Sequence, residues 1–92
     1  MDREQFGLWA KDLRVDAGFS QQKLADLLHI KHSQQIAGIE GGTCLLPKKC
    51  YRQFIKLFSL DPKRFIKILL KLEEQDLKSI IFDRKLEKVG KK

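Results

Sequence analysis

The segment Leu13-Arg14-Val15-Asp16-Ala17-Gly18-Phe19-Ser20-Gln21-Gln22-Lys23-Leu24-Ala25 closes one helix and opens the next. Upstream of it, Phe6, Trp9, Ala10, Leu13 and Ala17 recur at i, i+3, i+4, i+7 and i+11, which places them on one helix face. Gly18 stops that helix, since glycine takes the left-handed backbone of a helix end without a steric penalty. Ser20 is then positioned to cap a second helix, Gln21 to about Leu28, its hydroxyl oxygen accepting from an orphan amide. Phe19 before the cap and Leu24 after it have the spacing of a hydrophobic staple. Lys23 stands where a full capping box would need Glu or Gln.

Downstream the helical reading continues. His29-Ile30-Lys31-His32 is a short polar break holding one buried-type residue, Ile30. Ser33 is placed to cap a third helix through Gln34, Gln35, Ile36, Ala37, Gly38, Ile39 and Glu40, ended by Gly41-Gly42. Thr43 to Leu46 reads as a loop, and Pro47 suits the first turn of a fourth helix with Cys50, Phe54, Leu57 and Phe58 on one face. Ser59-Leu60-Asp61 before Pro62 repeats the cap-then-proline signature and opens a fifth helix with Phe65, Ile66, Leu69 and Leu70 inward. Nothing breaks the pattern before Gly90, so either one helix runs from Pro62 to about Lys88 or it bends near Gln75 into a sixth. The expectation is an all-α fold of five or six helices. Residues 1–61 form the core, and residues 62–92 form a C-terminal helical extension that packs, dimerises or both, with a basic end, Lys88 to Lys92.

Ninety-two residues fit one small domain without an interdomain cleft. Apolar residues at 42% and charged residues at 34% suit a folded, soluble chain rather than a disordered one. Apolar runs such as Ile68-Leu69-Leu70 fall far short of the roughly 20 residues a bilayer span needs, so no membrane role is expected. Asp2 and Glu4 do not suit a signal or transit peptide, and two cysteines are too few to staple a secreted mini-domain. A reduced, cytoplasmic location is expected. The charge is uneven: residues 1–46 carry five Lys/Arg against six Asp/Glu, −1, whereas residues 47–92 carry fourteen against six, +8. The resulting +7 favours a polyanionic partner.

Two short helices around a tight break, in a small all-helical chain, describe a helix-turn-helix. The run from Leu13 to Ala25 closely resembles the signature L-R-x-x-x-G-x-S-Q-x-x-L-A of the Cro/repressor-type (XRE-like, lambda-repressor-like) DNA-binding family. Ile36, Ile39 and Glu40-Gly41-Gly42 are similar to its I-x-x-I-E-x-G, and Pro47 follows where the family often has proline. The resemblance spans about Phe6 to Asp61. One departure is that five residues separate Ile30 from Ile36 where the commonest pattern has four; the extra one is placed in the turn, around Lys31. The register of base contacts is thereby open by one residue.

The resemblance implies a lambda-repressor-like domain whose third helix enters the major groove by its amino end. Ser33 and Gln34, with Gln35 close behind, then match base-reading positions; glutamine can pair two-pronged with adenine, and serine can donate or accept. The position one turn later is Gly38, where readout is missing or made by close backbone approach. Gln21, Lys31, His32, Thr43, Lys48 and Lys49 are the expected backbone contacts, Gln21 through its amide and the positive end of the second helix. Arg14 and Glu40 match a structural ion pair of the family. The function implied is a sequence-specific, double-stranded-DNA-binding transcriptional regulator, a repressor of bacterial or phage type. It is expected to work as a homodimer on a near-palindromic operator. The alternative is a protein-interaction module, an antitoxin or adaptor, gripping a protein partner with the apolar C-terminal helix.

Other chemistries are not expected. Trp9, Phe54 and Phe58 are spaced as core residues, not as a base-stacking ladder. His29, His32, Cys44 and Cys50 supply a zinc inventory, but their spacings are not those of common fingers, so no metal and no cofactor is assigned. No third group orients a Cys-His pair, so no enzyme activity is assigned.

Overall fold

A computed structural model describes residues 1–82. The readings made on Leu86, Val89 and the basic end lie outside the described residues. Five helices follow in order: α1 (Arg3–Asp16), α2 (Gln21–Leu27), α3 (Ser33–Glu40), α4 (Tyr51–Leu57) and α5 (Pro62–Phe82), with a 3-10 turn at Lys48–Cys50 leading into α4. Among the described residues there is no strand, and no helix is long and apolar enough to cross a membrane.

The caps explain most boundaries. Asp2 accepts from the Gln5 amide at 2.8 Å while the Gln5 side chain accepts from the Asp2 amide at 2.9 Å, a capping box that starts α1. Gly18 takes φ 79° after α1. Ser20 Oγ accepts from the Lys23 amide at 3.0 Å and starts α2. Asp61 Oδ1 accepts from the Lys63 amide at 3.2 Å ahead of α5. Ser33 is a correction: it is the first residue of α3 and not its cap. His32 holds the cap position, without a side-chain bond, because the turn delivers the chain extended at His32, φ −127°. Pro47 likewise precedes the 3-10 turn instead of sitting in a helical first turn. The last helix is continuous through Gln75, which decides the question of a bend.

One core joins all five helices. Phe6, Ala10, Leu24, Ala25, Leu28, Ile30, Ile36, Ile39, Leu46, Cys50, Phe54, Phe65 and Leu72 are buried. Phe54 and Phe65 lie at its aromatic centre, 5.7 Å apart by centroid, with Phe6 6.5 Å from each and Tyr51 5.7 Å from Phe65. Full burial of such side chains removes about 1.5–3 kcal/mol worth of apolar surface each from water. Phe65 therefore fixes the first half of α5 to α1 and α4. Three placements differ from the periodicity. Ala17 is exposed because it is the C-cap of α1, one residue past the last helical turn. Ile66 and Leu70 face outward, because the apolar stripe of α5 is wider than the core can cover.

α1 and α3 touch backbone to side-chain-free backbone. A Cβ added to Gly7 would stand 2.5 Å from the Ile39 carbonyl oxygen and would also strike that of Glu40. Only glycine allows this approach, which seats the carboxyl end of α3 on α1.

Candidate nucleic-acid interface

The presentation of α3 begins with its two ends. At its carboxyl end Glu40 is buried and paired with Arg14: Nε donates to Oε2 at 2.6 Å and Nη2 to Oε1 at 3.1 Å. Arg14 also donates from Nη1 to the Phe19 carbonyl at 2.7 Å, and Gln21 Nε2 donates to Glu40 Oε1 at 3.2 Å. This network ties α1, the α1–α2 turn, the first residue of α2 and the last of α3 into one unit. With both carboxylate oxygens occupied, the buried charge is compensated. Gln21 thus spends one side-chain N–H inside the protein, which leaves the second N–H of that amide for the expected phosphate contact.

At the amino end of α3 the polarity reverses. Gln34 and Gln35 are exposed, Ser33 is half-buried, and Ile36 is buried directly behind them. Lys31 and His32, in the turn before α3, are exposed. That turn is held by a left-handed His29, φ 58°, which lets Ile30 donate its amide to the Ala25 carbonyl at 2.8 Å and drop its side chain into the core. The residue count of the turn exceeds the common pattern, yet both hydrophobic anchors, Ile30 and Ile36, are buried.

Two sulfur contacts draw flanking segments to the same region. Cys50 Sγ lies 3.5 Å from the Leu28 carbonyl, which fastens the 3-10 turn bearing exposed Lys48 and Lys49 against the start of the α2–α3 turn. Cys44 Sγ lies 3.6 Å from the Gln35 carbonyl, which fastens the loop after α3 to its first turns. Thr43 is exposed, but its hydroxyl donates to the Gly38 carbonyl at 3.0 Å, so it closes the end of α3 rather than standing free. The same loop explains Gly38. A Cβ there would meet Cys44 Sγ at 2.7 Å and Thr43 Oγ1 at 3.1 Å, so this position faces the protein's own loop and not an outside base.

The thiols have separate environments. Burial pushes the Cys50 thiol above its ordinary range, outweighing the opposing charge of Lys49, and Cys44 is half-buried. Among the described residues, no three His, Cys, Asp or Glu side chains converge as a metal site.

Comparison with protein-family models, with curated proteins and with solved structures finds no match for this chain.

The residues missed in the sequence are those whose role is a contact across the fold. Arg3 Nε and Nη2 donate to the Asp76 carboxylate at 3.0 to 3.3 Å, joining the amino end of α1 to the far half of α5. The Asp76 hydrogen bond raises the Arg3 pKa. No local spacing announces a pair 73 residues apart.

Proposed function

We propose that this protein is a sequence-specific double-stranded DNA-binding regulator of the Cro/repressor type, with a lambda-repressor-like domain, in which α3 reads the major groove. The observation that supports this most is the amino end of α3: Gln34 and Gln35 project into solvent from a helix whose opposite end is locked by Arg14 and Glu40. Amide side chains at that end can pair two-pronged with adenine, and Ser33 adds a hydroxyl beside them. Lys31, His32, Lys48 and Lys49 supply backbone contacts on either side, setting orientation and most of the affinity. Two protomers would occupy half-sites one helical turn, ~34 Å, apart, and block transcription by occupancy in a bacterial or phage-type cytoplasm. No catalysis and no cofactor enter this reading.

The test is a mobility-shift titration at several salt concentrations, followed by operator selection. If each protomer neutralises about four phosphates, the log affinity of the dimer falls with log salt at a slope near −7. Gln34→Ala should relax base preference, at a cost of ~1–3 kcal/mol on the preferred site. Lys49→Ala should weaken all sequences alike. Unchanged preference in Gln34→Ala removes that residue from readout. Salt-insensitive or absent binding favours the second reading, an antitoxin or adaptor, which has its own support in the exposed apolar face of α5.

A further inference from the structure

The first half of α5 forms one wall of a groove that shares no residue with the α3 interface. The groove has a volume of about 750 Å³, within the size range of small-molecule sites, and lies between α5, the α4–α5 turn and α1. Trp9, Leu60, Phe65 and Ile68 make its apolar floor. Trp9 is half-buried, its indole held by Phe6, Phe54 and Phe65 at centroid distances of 5.6, 6.2 and 6.3 Å. Arg64, Lys67 and Lys71 line the rim and are exposed. Asp61 stands at one end.

Steps of three and four residues put Arg64, Lys67 and Lys71 on one flank of α5, where like charges repel one another. Among the described residues the ion pairs are Arg3–Asp76, Arg14–Glu40 and Lys78–Glu74, and none of them relieves this flank. Glu74, the next acid along it, is bonded to Lys78 at 3.0 Å. At 1.5 Å per residue the three cations extend over ~10 Å. A single carboxylate or phosphate meets part of that line, whereas a chain of two or three phosphates meets all of it. A fatty acid brings one charge to three cations, and an open groove leaves its chain in water. Beside the cations lies the aromatic floor, a surface on which a nucleobase stacks. Asp61 Oδ1 accepts from the Lys63 amide at 3.2 Å, and Oδ2 remains to accept from an amino group of a base. We propose that this groove binds a nucleoside di- or triphosphate. The base lies against Trp9 and Asp61, and the phosphates run along Arg64, Lys67 and Lys71.

This assignment stands apart from the regulator reading, and its test contains no DNA, so either can fail without the other. Trp9 is the single tryptophan of the chain and reports from the groove floor. The experiment titrates the full chain at low salt, without magnesium, with GTP, UTP and inorganic tripolyphosphate, followed by Trp9 emission and by calorimetry. GTP should bind saturably, change the Trp9 emission and bind about tenfold tighter than tripolyphosphate, the share that stacking of the base supplies. UTP, whose base has no amino group, should bind more weakly than GTP. Lys67→Glu and Lys71→Glu should each weaken GTP binding by about tenfold, with thermal unfolding by circular dichroism matching wild type. Lys11→Glu makes the same charge change at an exposed position on the side of α1 away from Trp9, and should leave GTP affinity within about twofold. Absence of saturable GTP binding, or binding that leaves Trp9 emission unchanged, overturns the site. Tripolyphosphate binding as tightly as GTP overturns the nucleoside assignment, and UTP equal to GTP overturns the Asp61 contact. A loss in Lys11→Glu as large as in Lys67→Glu traces the binding to net charge and overturns the groove.

Discussion

Two arginines on α1 each hold a carboxylate from a distant helix, and the two junctions differ. At the α3 junction, Arg14 and Glu40 are 11% and 5% exposed in their side chains, and two further hydrogen bonds, from Arg14 to Phe19 and from Gln21 to Glu40, complete the network. At the α5 junction, Arg3 and Asp76 are 42% and 29% exposed, with no further partner in the pair's own bonding. The same chemistry therefore does two jobs. The buried pair fixes α3 in one orientation, because moving it would strand a charge away from water. The exposed pair lets water replace either partner, so it steers the far half of α5 with little energy. α3 is locked at its carboxyl end, the rigidity that the proposed base reading requires, while α5 beyond Leu72 is held by a screened contact and keeps an apolar face outward.

The largest effect that would break this contrast is at Glu40. Glu40→Ala leaves Arg14 buried without its carboxylate and should cost ~3–5 kcal/mol, read as a lower urea midpoint at an unchanged slope. A loss under 1 kcal/mol would mean that the junction is not the rigid one. Gly7→Ala comes next, since its methyl would press on the Ile39 and Glu40 carbonyls; about 1–3 kcal/mol should be lost, read as a lower urea midpoint. Asp76→Ala should cost only ~0.2–1 kcal/mol, and the difference from wild type should shrink at high salt. A salt-independent loss of several kcal/mol would place the two junctions in one class.

The smallest effect is one of pH. Burial raises both the Cys50 thiol and the Tyr51 hydroxyl, so both stay neutral in the folded chain beyond the pH at which the unfolded chain ionises. Their stabilisation is complete below the ordinary thiol range, about pH 8.5, and is lost as pH climbs toward the raised folded values. Urea midpoints should fall as pH rises above about 8.5, and Cys50→Ala should start lower yet fall less steeply. An equal slope in that variant would remove Cys50 from the alkaline transition.

Much of this protein was legible in its primary structure, because helix ends are local events. Gly18, Ser20 and Asp61–Pro62 each act through residues two to four positions away, so their spacing carries the answer. The left-handed His29 and Ser59 were not legible, because neither is the glycine that usually marks such a position; the backbone bonds of Ile30 to Ala25 and of Leu60 to Ile55 behind them close each helix end that way. The candidate interface was visible as amides beside basic residues. Its details were not, because Gln21, Thr43 and Gly38 take their roles from partners 19, 5 and 5–6 residues away that meet only in the folded chain.

Periodicity, caps and punctuation by themselves determined an all-helical chain with a short, amide-tipped third helix. Tertiary structure alone decided which side of each apolar stripe is covered. Phe65 and Ile66 are neighbours of similar hydrophobicity, yet one is 2% and the other 54% exposed. A stripe broader than the surface it packs on must leave part of itself outside, and only the position of the other helices says which part.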